Sequence, residues 1–249
     1  MASETEQISI LVPTYKRRRF LPLLIRNIKL QEYPHNLLEV IIDDDSPEED
    51  KLIISNQELK DIQDHLHPIK LKYNYCNNKR TIGKKRNDLV KSSNNKIITF
   101  MDDDDVYLPT YISYQYQLLK ENKAGCVGSN KMIFTMSEKD WEVYAIDCGD
   151  VKSLIHEATL MMTKKWFKAS CGFENSSQGE GKNIFVGMER TVVISDVMNC
   201  MICLQHPWNT INKLQFCKDE CRVNIQINDD LKNILEKILK TNSNNNSRE

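Results

Sequence analysis

Four consecutive aspartates, Asp102–Asp105, end a run of β-branched and apolar residues in the stretch KIITFMDDDDVYLP at positions 96–109. Two like charges about 4 Å apart repel by about 1 kcal/mol in water and by about 4 kcal/mol near a protein surface. A folded chain that gathers these carboxylates therefore needs protons or cations beside them. Oxygen ligands with open positions suit Mg²⁺ or Mn²⁺, which commonly hold substrate phosphates. Taken alone, the aspartates favour such a site and a solvated acidic loop, with Asp105 as a helix cap, about equally.

The charged residues around the aspartates favour the cation site. Asp102 and Asp104 point the same way on an extended segment, so one can hold a metal while the other orients it or a bound sugar. Upstream, the stretch KRTIGKKRN contains three cations that can meet a diphosphate, namely Arg80, Lys84 and Arg86. At least one of the three is expected to be an ordinary solvated helix residue. At the end of the second predicted strand, Asp43 or Asp44 can accept the imide N–H of a uracil base.

Strand and helix signals alternate along the first 110 residues. Apolar runs predict strands at 8–13, 38–43, 69–75 and 96–102, and helical spacing predicts helices at 19–31, 48–63 and 83–93. The second helix would carry the acidic residues 48–50 in its first turn, where the helix dipole favours them. This order predicts an α/β fold with a mostly parallel sheet flanked by helices, which binds ligands at the carboxyl ends of its strands. Thr14, Tyr15 and Arg17 follow the first of those ends.

The pattern becomes less regular after Pro109. A helix is predicted at 109–125, strands at 126–134, 141–147, 158–163 and 199–204, and an amphipathic helix at 229–240. We expect residues 1–110 to form one half of the molecule and residues 111–228 a smaller, irregular half. The low-complexity stretch 241–249 cannot bury a core and is expected to be disordered.

The composition is typical of a soluble globular protein, with 40% hydrophobic and 28% charged residues among 249. A net charge of −1, from 34 lysines and arginines against 35 aspartates and glutamates, argues against nucleic acid or an anionic membrane as partner. The apolar runs are too short to span a bilayer, and the polar N-terminus MASETEQ lacks the features of a signal peptide. A soluble cytoplasmic protein without an integral membrane segment is expected.

Two cysteine pairs have spacings that a zinc site can use. Cys200 and Cys203 form a C-x2-C, and Cys217 and Cys221 form a C-x3-C. The first pair lies on a predicted strand, where residues three apart point to opposite faces. Buried free thiols that pack as small hydrophobic groups are therefore favoured over a metal site.

Four motifs occur in the order ISILVPTYKR, LEVIIDDDSPEED, TIGKKRNDLV and IITFMDDDDVYLP. Together they resemble the nucleotide-binding half of a family-2 glycosyltransferase with the Rossmann-like GT-A fold, over about residues 7–110. The resemblance implies a nucleotide-sugar donor, often UDP-linked, and a Mn²⁺ or Mg²⁺ cofactor held by a D-x-D motif. One departure is Asp45, which stands where the family usually has a glycine.

The resemblance also implies roles for individual residues. Pro13, Thr14 and Tyr15 would line the nucleoside pocket, and Asp43 or Asp44 would contact the base. The full set of expected donor-binding residues is Pro13, Thr14, Tyr15, Arg17, Asp43, Asp44, Arg80, Lys84, Arg86, Asp102 and Asp103. The expected metal ligands are Asp104, as the direct ligand, with Asp102 and His206.

The second half resembles the family through the stretch SSQGEGKNIFVG. Glu180 would be the general base of an inverting enzyme, with Glu174 and Glu189 as rivals. The aspartate that normally follows such a base is Gly181 here. The glycine-rich stretch GFENSSQGEGKN would form a flexible lid over the donor.

The function implied is transfer of a hexose from a nucleotide sugar, with a UDP-sugar favoured, to a hydroxyl of a glycan, glycoprotein or other acceptor, with inversion. Alternatives are a catalytically inactive nucleotide-sugar-binding protein of the same fold and a sugar-1-phosphate nucleotidyltransferase. The latter would have a glycine-rich loop after the first strand, whereas VPTYKRRR contains no glycine. A phosphoacceptor receiver domain is disfavoured, since such a domain is about half as long and carries acidic residues after its first strand.

Overall fold

The computed structural model describes residues 5–149, 154–209 and 213–240, which form two β-sheets with helices packed around them. The strands are β1 (Ile8–Thr14), β2 (Leu38–Asp44), β3 (Lys70–Tyr75), β4 (Ile97–Phe100), β5 (Val106–Tyr107), β6 (Cys126–Gly128), β7 (Lys131–Thr135), β8 (Val143–Asp147), β9 (Met161–Thr163), β10 (Val192–Ile194), β11 (Met201–Leu204) and β12 (Arg222–Val223). The α-helices are α1 (Leu21–Lys29), α2 (Asn56–Leu66), α3 (Ile82–Ser92), α4 (Tyr111–Glu121), α5 (Lys164–Ala169) and α6 (Asp229–Lys240).

The larger sheet has the strand order β10-β6-β9-β4-β1-β2-β3. Strands β3, β2, β1 and β4 run parallel, and β9 is antiparallel to both of its neighbours. All seven residues of β1 are buried, because helices or loops cover both faces of a parallel sheet. The predicted mostly parallel sheet flanked by helices is confirmed. Its carboxyl edge carries the ends of β1, β2 and β4 side by side.

The second sheet has the order β12-β8-β7-β11-β5, and β5 follows directly on the aspartates. The single strand predicted at 126–134 is wrong, because the chain leaves the first sheet after β6 and enters the second as β7. Between them, the Ser129 N–H donates to the Thr159 hydroxyl at 2.8 Å and turns the chain. Strands from both sides of residue 110 therefore build the larger sheet, and the division into halves stays a prediction.

One expected helix start, and the helix cap at Asp105 that belonged to the alternative of a solvated loop, also differ from the structure. Residues Glu48–Asp50 form a separate 3-10 turn, and α2 begins only at Asn56, where the Ser55 hydroxyl accepts the Glu58 N–H at 3.1 Å. Side-chain capping at Ser55 outweighs the acidic turn that the prediction relied on. Asp105 caps no helix, since α4 begins at Tyr111. Its carboxylate instead accepts the Leu204 N–H at 2.9 Å.

The terminal helix lies where the sequence predicts it, as α6 at Asp229–Lys240, and buries Leu231, Leu235 and Ile238. The stretch 241–249, expected to be disordered, lies outside the described residues. Cys200 and Cys203 are buried free thiols, as predicted. Within the described part of the chain, none of the helices has the length and apolar character needed to cross a bilayer.

Candidate functional site

The aspartates Asp102–Asp105 form the turn between β4 and β5 and lie on one side of a cavity of about 400 Å³. The other sides of the cavity come from β1, β7, β8, β11, the start of α3, the turn at His156 and the segments that follow β1 and β11. The residues that line it are Pro13, Arg17, Ile82, Asp102, Asp103, Asp104, Asp105, Met132, Ile146, His156, Cys203, Asn209, Lys213 and Phe216. The predicted convergence of acidic and basic residues at the carboxyl edge is therefore present.

Asp104 is the most strongly paired of the four aspartates. One carboxylate oxygen lies 3.2 Å from Arg17 Nε and 3.1 Å from His206 Nε2. Burial opposes its ionisation, but the hydrogen bond from His206 and the charge of Arg17 hold the pKa of Asp104 below its usual value. Asp103 is buried, and none of the described residues forms a hydrogen bond with its Oδ2. Burial and the neighbouring charge of Asp104 raise the pKa of Asp103 well above its usual value.

The ring of His206 is oriented by the backbone that follows it. The Trp208 N–H donates to His206 Nδ1 at 3.2 Å. When Nδ1 accepts this bond, a neutral ring carries its proton on Nε2, which lies 3.1 Å from Asp104 Oδ2 and 3.2 Å from the side-chain nitrogen of Asn209. His206 thus lies beside Asp104, as expected of a pair of metal ligands, but Nε2 would have to release this proton before it could bind a metal.

Arg86 connects the aspartates to the candidate base. Its NH2 lies 3.2 Å from Asp102 Oδ1, its Nε lies 3.3 Å from Glu180 Oε1, and its guanidinium stacks 4.9 Å from the centre of the Phe100 ring. Burial alone would lower the pKa of Arg86, but the charges of Asp102 and Glu180 raise it overall. Only 3% of its side chain is exposed. Arg86 is therefore buried and is not among the residues that line the cavity, and its contact with a diphosphate stays a prediction.

Glu180 is buried in a loop that packs tightly against the start of α3. The Glu174 N–H donates to the Glu180 carbonyl at 2.8 Å, and a Cβ on Gly83 would stand 1.8 Å from the Glu174 carbonyl oxygen. Only glycine fits at position 83, so the loop and the helix approach each other closely. Burial raises the pKa of Glu180, the charge of Arg86 opposes this rise, and the charge of Glu157 adds to it.

The rival bases are engaged elsewhere. The Glu174 carboxylate accepts a hydrogen bond from the Asn183 side chain. Glu189 is exposed at the start of a 3-10 turn and accepts the Gly187 N–H at 3.0 Å. Of the three glutamates, Glu180 is the one joined through Arg86 to the aspartates.

The other end of the candidate site lies at the ends of β1 and β2. Asp43 accepts a hydrogen bond from Arg80 at 2.8 Å, and burial raises its pKa despite this partner. Asp45, which departs from the family pattern, accepts the Arg80 N–H at 2.6 Å and the Lys85 ammonium at 2.8 Å. Lys85 also donates to the Thr14 carbonyl at 2.7 Å. Asp45 and Lys85 thus hold the β1 and β2 ends together, a role that the sequence analysis missed.

Of two other predicted donor-binding residues, Tyr15 is half-buried beside the end of β1 and Lys84 is exposed on α3. The half-buried Tyr15 ring has the Lys79 ammonium 4.3 Å from its centre and lies next to Pro13 and Thr14 along the chain. Lys84 is 50% exposed and pairs with Asp88 on the same helix at 3.1 Å. Lys84 therefore fits the expectation that at least one of the three cations is an ordinary solvated residue.

Asp44 differs from Asp43 because its carboxylate is occupied by hydrogen bonds within the fold. It is fully buried, one oxygen accepts the backbone N–H and the hydroxyl of Ser46, and the other accepts the Leu52 N–H and the Tyr73 hydroxyl. A carboxylate that already accepts four hydrogen bonds has no lone pair left to bind a nucleobase. Of the two candidates that the sequence left open, the structure favours Asp43.

We expect Asp44→Asn to lower the free energy of unfolding by about 2–4 kcal/mol, because an amide NH2 would face donors that now meet a carboxylate. Asp43→Asn should change the free energy of unfolding by less than about 1 kcal/mol, because the hydrogen bond that the buried Asp43 carboxylate accepts from Arg80 can be accepted by the amide oxygen of asparagine. Urea denaturation of both variants measures the difference. An equal loss of unfolding free energy in the two variants would contradict a structural role for Asp44 that Asp43 does not share.

Two residues that line the cavity were missed. Lys213 is 9% exposed, and its charge lowers the pKa of Asp105, although burial raises that pKa overall. His156 precedes a short turn at 157–159. Both belong to irregular segments without a strand or helix period, and neither stands in a motif, so no signal in the sequence selected them.

The chemistry of the acidic turn fits a divalent cation. Asp102 and Asp104 offer oxygen ligands, and in the part of the chain that the structure describes, the buried Asp103 Oδ2 has no hydrogen-bond partner. No group of three His, Cys, Asp or Glu side chains in the described residues is already arranged around a metal position. Asp102 is engaged by Arg86 and Asp104 by Arg17, so these side chains would reorient on binding.

Known proteins share both the sequence pattern and the fold. Residues 9–178 match the model of the family described as Glycosyl transferase family 2. Over 124 residues, the chain is 31% identical to the GalNAc(5)-diNAcBac-PP-undecaprenol beta-1,3-glucosyltransferase of Campylobacter jejuni subsp. jejuni. That alignment covers 49% of this chain and 38% of the relative, so the chain spans well under half of the relative's length.

Similar solved structures include a mannosyltransferase from Pyrobaculum calidifontis in complex with GDP-Man and Mn²⁺, with a TM-score of 0.61, 14% identity, and coverage of 82% of this chain and 57% of that chain. Residues 1–349 of S. aureus TarS in complex with UDP align with a TM-score of 0.59 and 14% identity, over 81% of this chain and 61% of that one. These likenesses confirm the predicted GT-A fold. Because the family match extends over more than half of the chain and includes the aspartates, this protein belongs to glycosyl transferase family 2.

Proposed function

We propose that this protein transfers a sugar from a nucleotide-diphosphate donor, with a UDP-sugar favoured, to a hydroxyl group of an acceptor, with inversion at the transferred carbon. The observation that carries the proposal is the connection of two acidic centres by one buried arginine. Arg86 contacts Asp102 at the cavity wall and Glu180 in the loop beside it. A donor-binding centre and a candidate base are thereby held close together, as a transfer reaction requires.

The donor would extend along the carboxyl edge of the larger sheet. The nucleobase of the donor would lie near Tyr15 and Asp43. The carboxylate of Asp43 can accept an imide N–H of that nucleobase. The diphosphate would lie in the cavity, where Arg17 and Lys213 provide positive charge against the aspartates. Arg80 fixes Asp43 through their 2.8 Å ion pair.

We propose Mn²⁺ or Mg²⁺ as cofactor, held by Asp104 and Asp102, with His206 as a further ligand once its Nε2 is free. When bound, the cation would neutralise negative charge that develops on the departing nucleoside diphosphate. Arg17, 3.2 Å from Asp104, orients that carboxylate and adds a second positive charge at the same place. A neighbour of the same fold was solved with GDP-Man and Mn²⁺, which supports this choice of metal class.

Glu180 would take the proton of the acceptor hydroxyl as the acceptor oxygen forms its bond to the anomeric carbon. The bond from that carbon to the diphosphate oxygen breaks in the same step, and the electron pair leaves with the nucleoside diphosphate. Attack opposite to the leaving group gives inversion. Burial makes Glu180 a stronger base than an exposed glutamate, because it raises the pKa of the carboxyl.

The proposed acceptor is a glycan or another molecule with a free hydroxyl group. The name of the Campylobacter jejuni relative includes a glycan joined through PP to undecaprenol, which supports a glycan acceptor. A catalytically inactive nucleotide-sugar-binding protein stays the alternative, because the charge of Arg86 opposes protonation of Glu180.

Calorimetric titration with UDP and with GDP, each with Mn²⁺, Mg²⁺ or EDTA, tests the donor site. We expect one nucleotide to bind with the metal and at least tenfold more weakly with EDTA, since the cation offsets repulsion between diphosphate and aspartates. Asp104→Ala should abolish the metal-dependent part of the binding.

Asp64→Ala is the matched control, because Asp64 is an exposed carboxylate on α2, away from the cavity. It should bind nucleotide and metal like the unmodified protein. Absence of binding for both nucleotides under every condition would overturn the proposed donor site. Equal affinity with Mn²⁺ and with EDTA would overturn the proposed cofactor.

A further inference from the structure

His156 lies on a turn whose backbone is fixed from both sides. Its N–H donates to the Ser129 carbonyl at 2.8 Å, and its own carbonyl accepts the N–H and the hydroxyl of Thr159 at 2.9 and 2.7 Å. The following residues, 157–159, form one turn of 3-10 helix that leads into β9. Hydrogen bonds thus hold the backbone of His156 through both its N–H and its carbonyl group.

The same turn joins the two acidic centres of the site. The Asp102 N–H donates to the Tyr107 hydroxyl at 2.8 Å, and that hydroxyl donates to the Ala158 carbonyl at 3.0 Å. On its other side, the Glu157 carboxylate accepts the Gly181 N–H at 3.2 Å. His156 is thus anchored between the turn that carries Asp102 and the loop that carries Glu180.

The imidazole of His156 is available to a ligand. Its side chain lines the cavity with Asp102 and Lys213, and among the described residues none forms a hydrogen bond with its ring nitrogens. Burial lowers the pKa of His156 to about 4, although the charge of Asp102 opposes this. At neutral pH the ring is uncharged, so one nitrogen can donate a hydrogen bond and the other can accept one.

These properties match what the acceptor needs. An attacking hydroxyl must reach Glu180 and also the sugar carbon whose diphosphate lies against the aspartates, which places the acceptor between those two centres. An uncharged donor and acceptor at that place can hold a sugar hydroxyl. A cation there would lower the pKa of Glu180 and weaken it as a base.

We propose that His156 is an acceptor-binding residue, which hydrogen-bonds a sugar hydroxyl of the acceptor beside the hydroxyl that Glu180 deprotonates. The assignment rests on the proposed transfer activity and adds to it the acceptor side of the site. It identifies the acceptor as a molecule with at least two hydroxyl groups close together, as on a sugar ring.

The test measures nucleotide release from UDP-glucose, UDP-GlcNAc and GDP-Man with a panel of p-nitrophenyl glycosides as acceptors, and with water alone. For His156→Phe we expect the acceptor KM to rise about tenfold, as for the loss of one buried hydrogen bond. The donor KM and the calorimetric Kd of the nucleotide should stay within about twofold. His156→Gln, which keeps a donor and an acceptor, should recover part of the loss.

His65→Ala is the control, because His65 is an exposed histidine on α2. An active protein whose acceptor KM does not change in His156→Phe would overturn the role of His156 and leave the transfer activity standing. A parallel loss of donor affinity and thermal stability in His156→Phe, without recovery in His156→Gln, would also overturn it, since a purely structural residue behaves that way. An unmodified protein that releases no nucleotide with any acceptor would overturn the transfer activity itself.

Discussion

Replacing Glu180 with glutamine is expected to lower the rate of sugar transfer by about 10³-fold. The amide has nearly the shape of the carboxylate but cannot take the acceptor proton. The hydrogen bond with Arg86 can persist through the amide oxygen, so the loop and the donor site should keep their structure. Transfer is measured as product formed with the best acceptor of the glycoside panel, and nucleotide binding is measured by calorimetry on the same preparations.

Glu174→Gln and Glu189→Gln are the matched controls, since both replace a glutamate of the same region that contacts other groups. Each should retain transfer to within a few-fold. Full activity in Glu180→Gln together with a large loss in either control would move the base to that residue. Donor binding without transfer in the unmodified protein would instead favour the inactive nucleotide-sugar-binding alternative.

Replacing Arg86 with methionine is expected to lower the free energy of unfolding by about 3–5 kcal/mol, because it leaves the buried carboxylate of Glu180 and the partly buried carboxylate of Asp102 without their shared cation. Urea denaturation measures this loss. Lys91→Met is the control on the same helix, because its side chain is 75% exposed. It should change stability by less than about 0.5 kcal/mol. A similar small change in Arg86→Met would mean that the buried pairs contribute little.

Arg86 also affects the pH dependence of transfer. Glu180 acts as a base only when ionised, so activity falls as the pH drops through its pKa, which burial raises above the usual value. The charge of Arg86 lowers that pKa, so loss of the charge should move the acidic limb of the pH–rate profile to higher pH. Arg86→Lys keeps the charge and should shift the limb less than Arg86→Met. If the acidic limb of the pH–rate profile lies at the same pH in the unmodified protein, in Arg86→Lys and in Arg86→Met, Glu180 is not the titrating base.

The sequence predicted the location of the site better than its internal connections. In a parallel sheet the carboxyl ends of the strands must meet, so the aspartates after β4 and the residues after β1 and β2 could be placed together without coordinates. The choice between Asp43 and Asp44 could not be made, because neighbours on a strand point to opposite faces and both faces of this sheet are covered.

The structure of the irregular segments could not be predicted for a different reason. The sheet change between β6 and β7 depends on a side-chain hydrogen bond from a residue 30 positions away, which leaves no periodic pattern in the sequence. His156 and Lys213 reach the cavity through such segments. The start of α2 was predictable in principle, since Ser55 and Glu58 have the spacing of a capping box.

The pairing of β4 with β9 has a consequence for how the protein forms during translation. The strand that leads into the aspartates has one edge against β1 and the other against β9, which follows it only after β5 to β8 have been synthesised. Until β9 leaves the ribosome, the nascent chain exposes the unpaired edge of β4, which invites pairing with other chains. The acidic turn at its end carries charge that discourages such contacts.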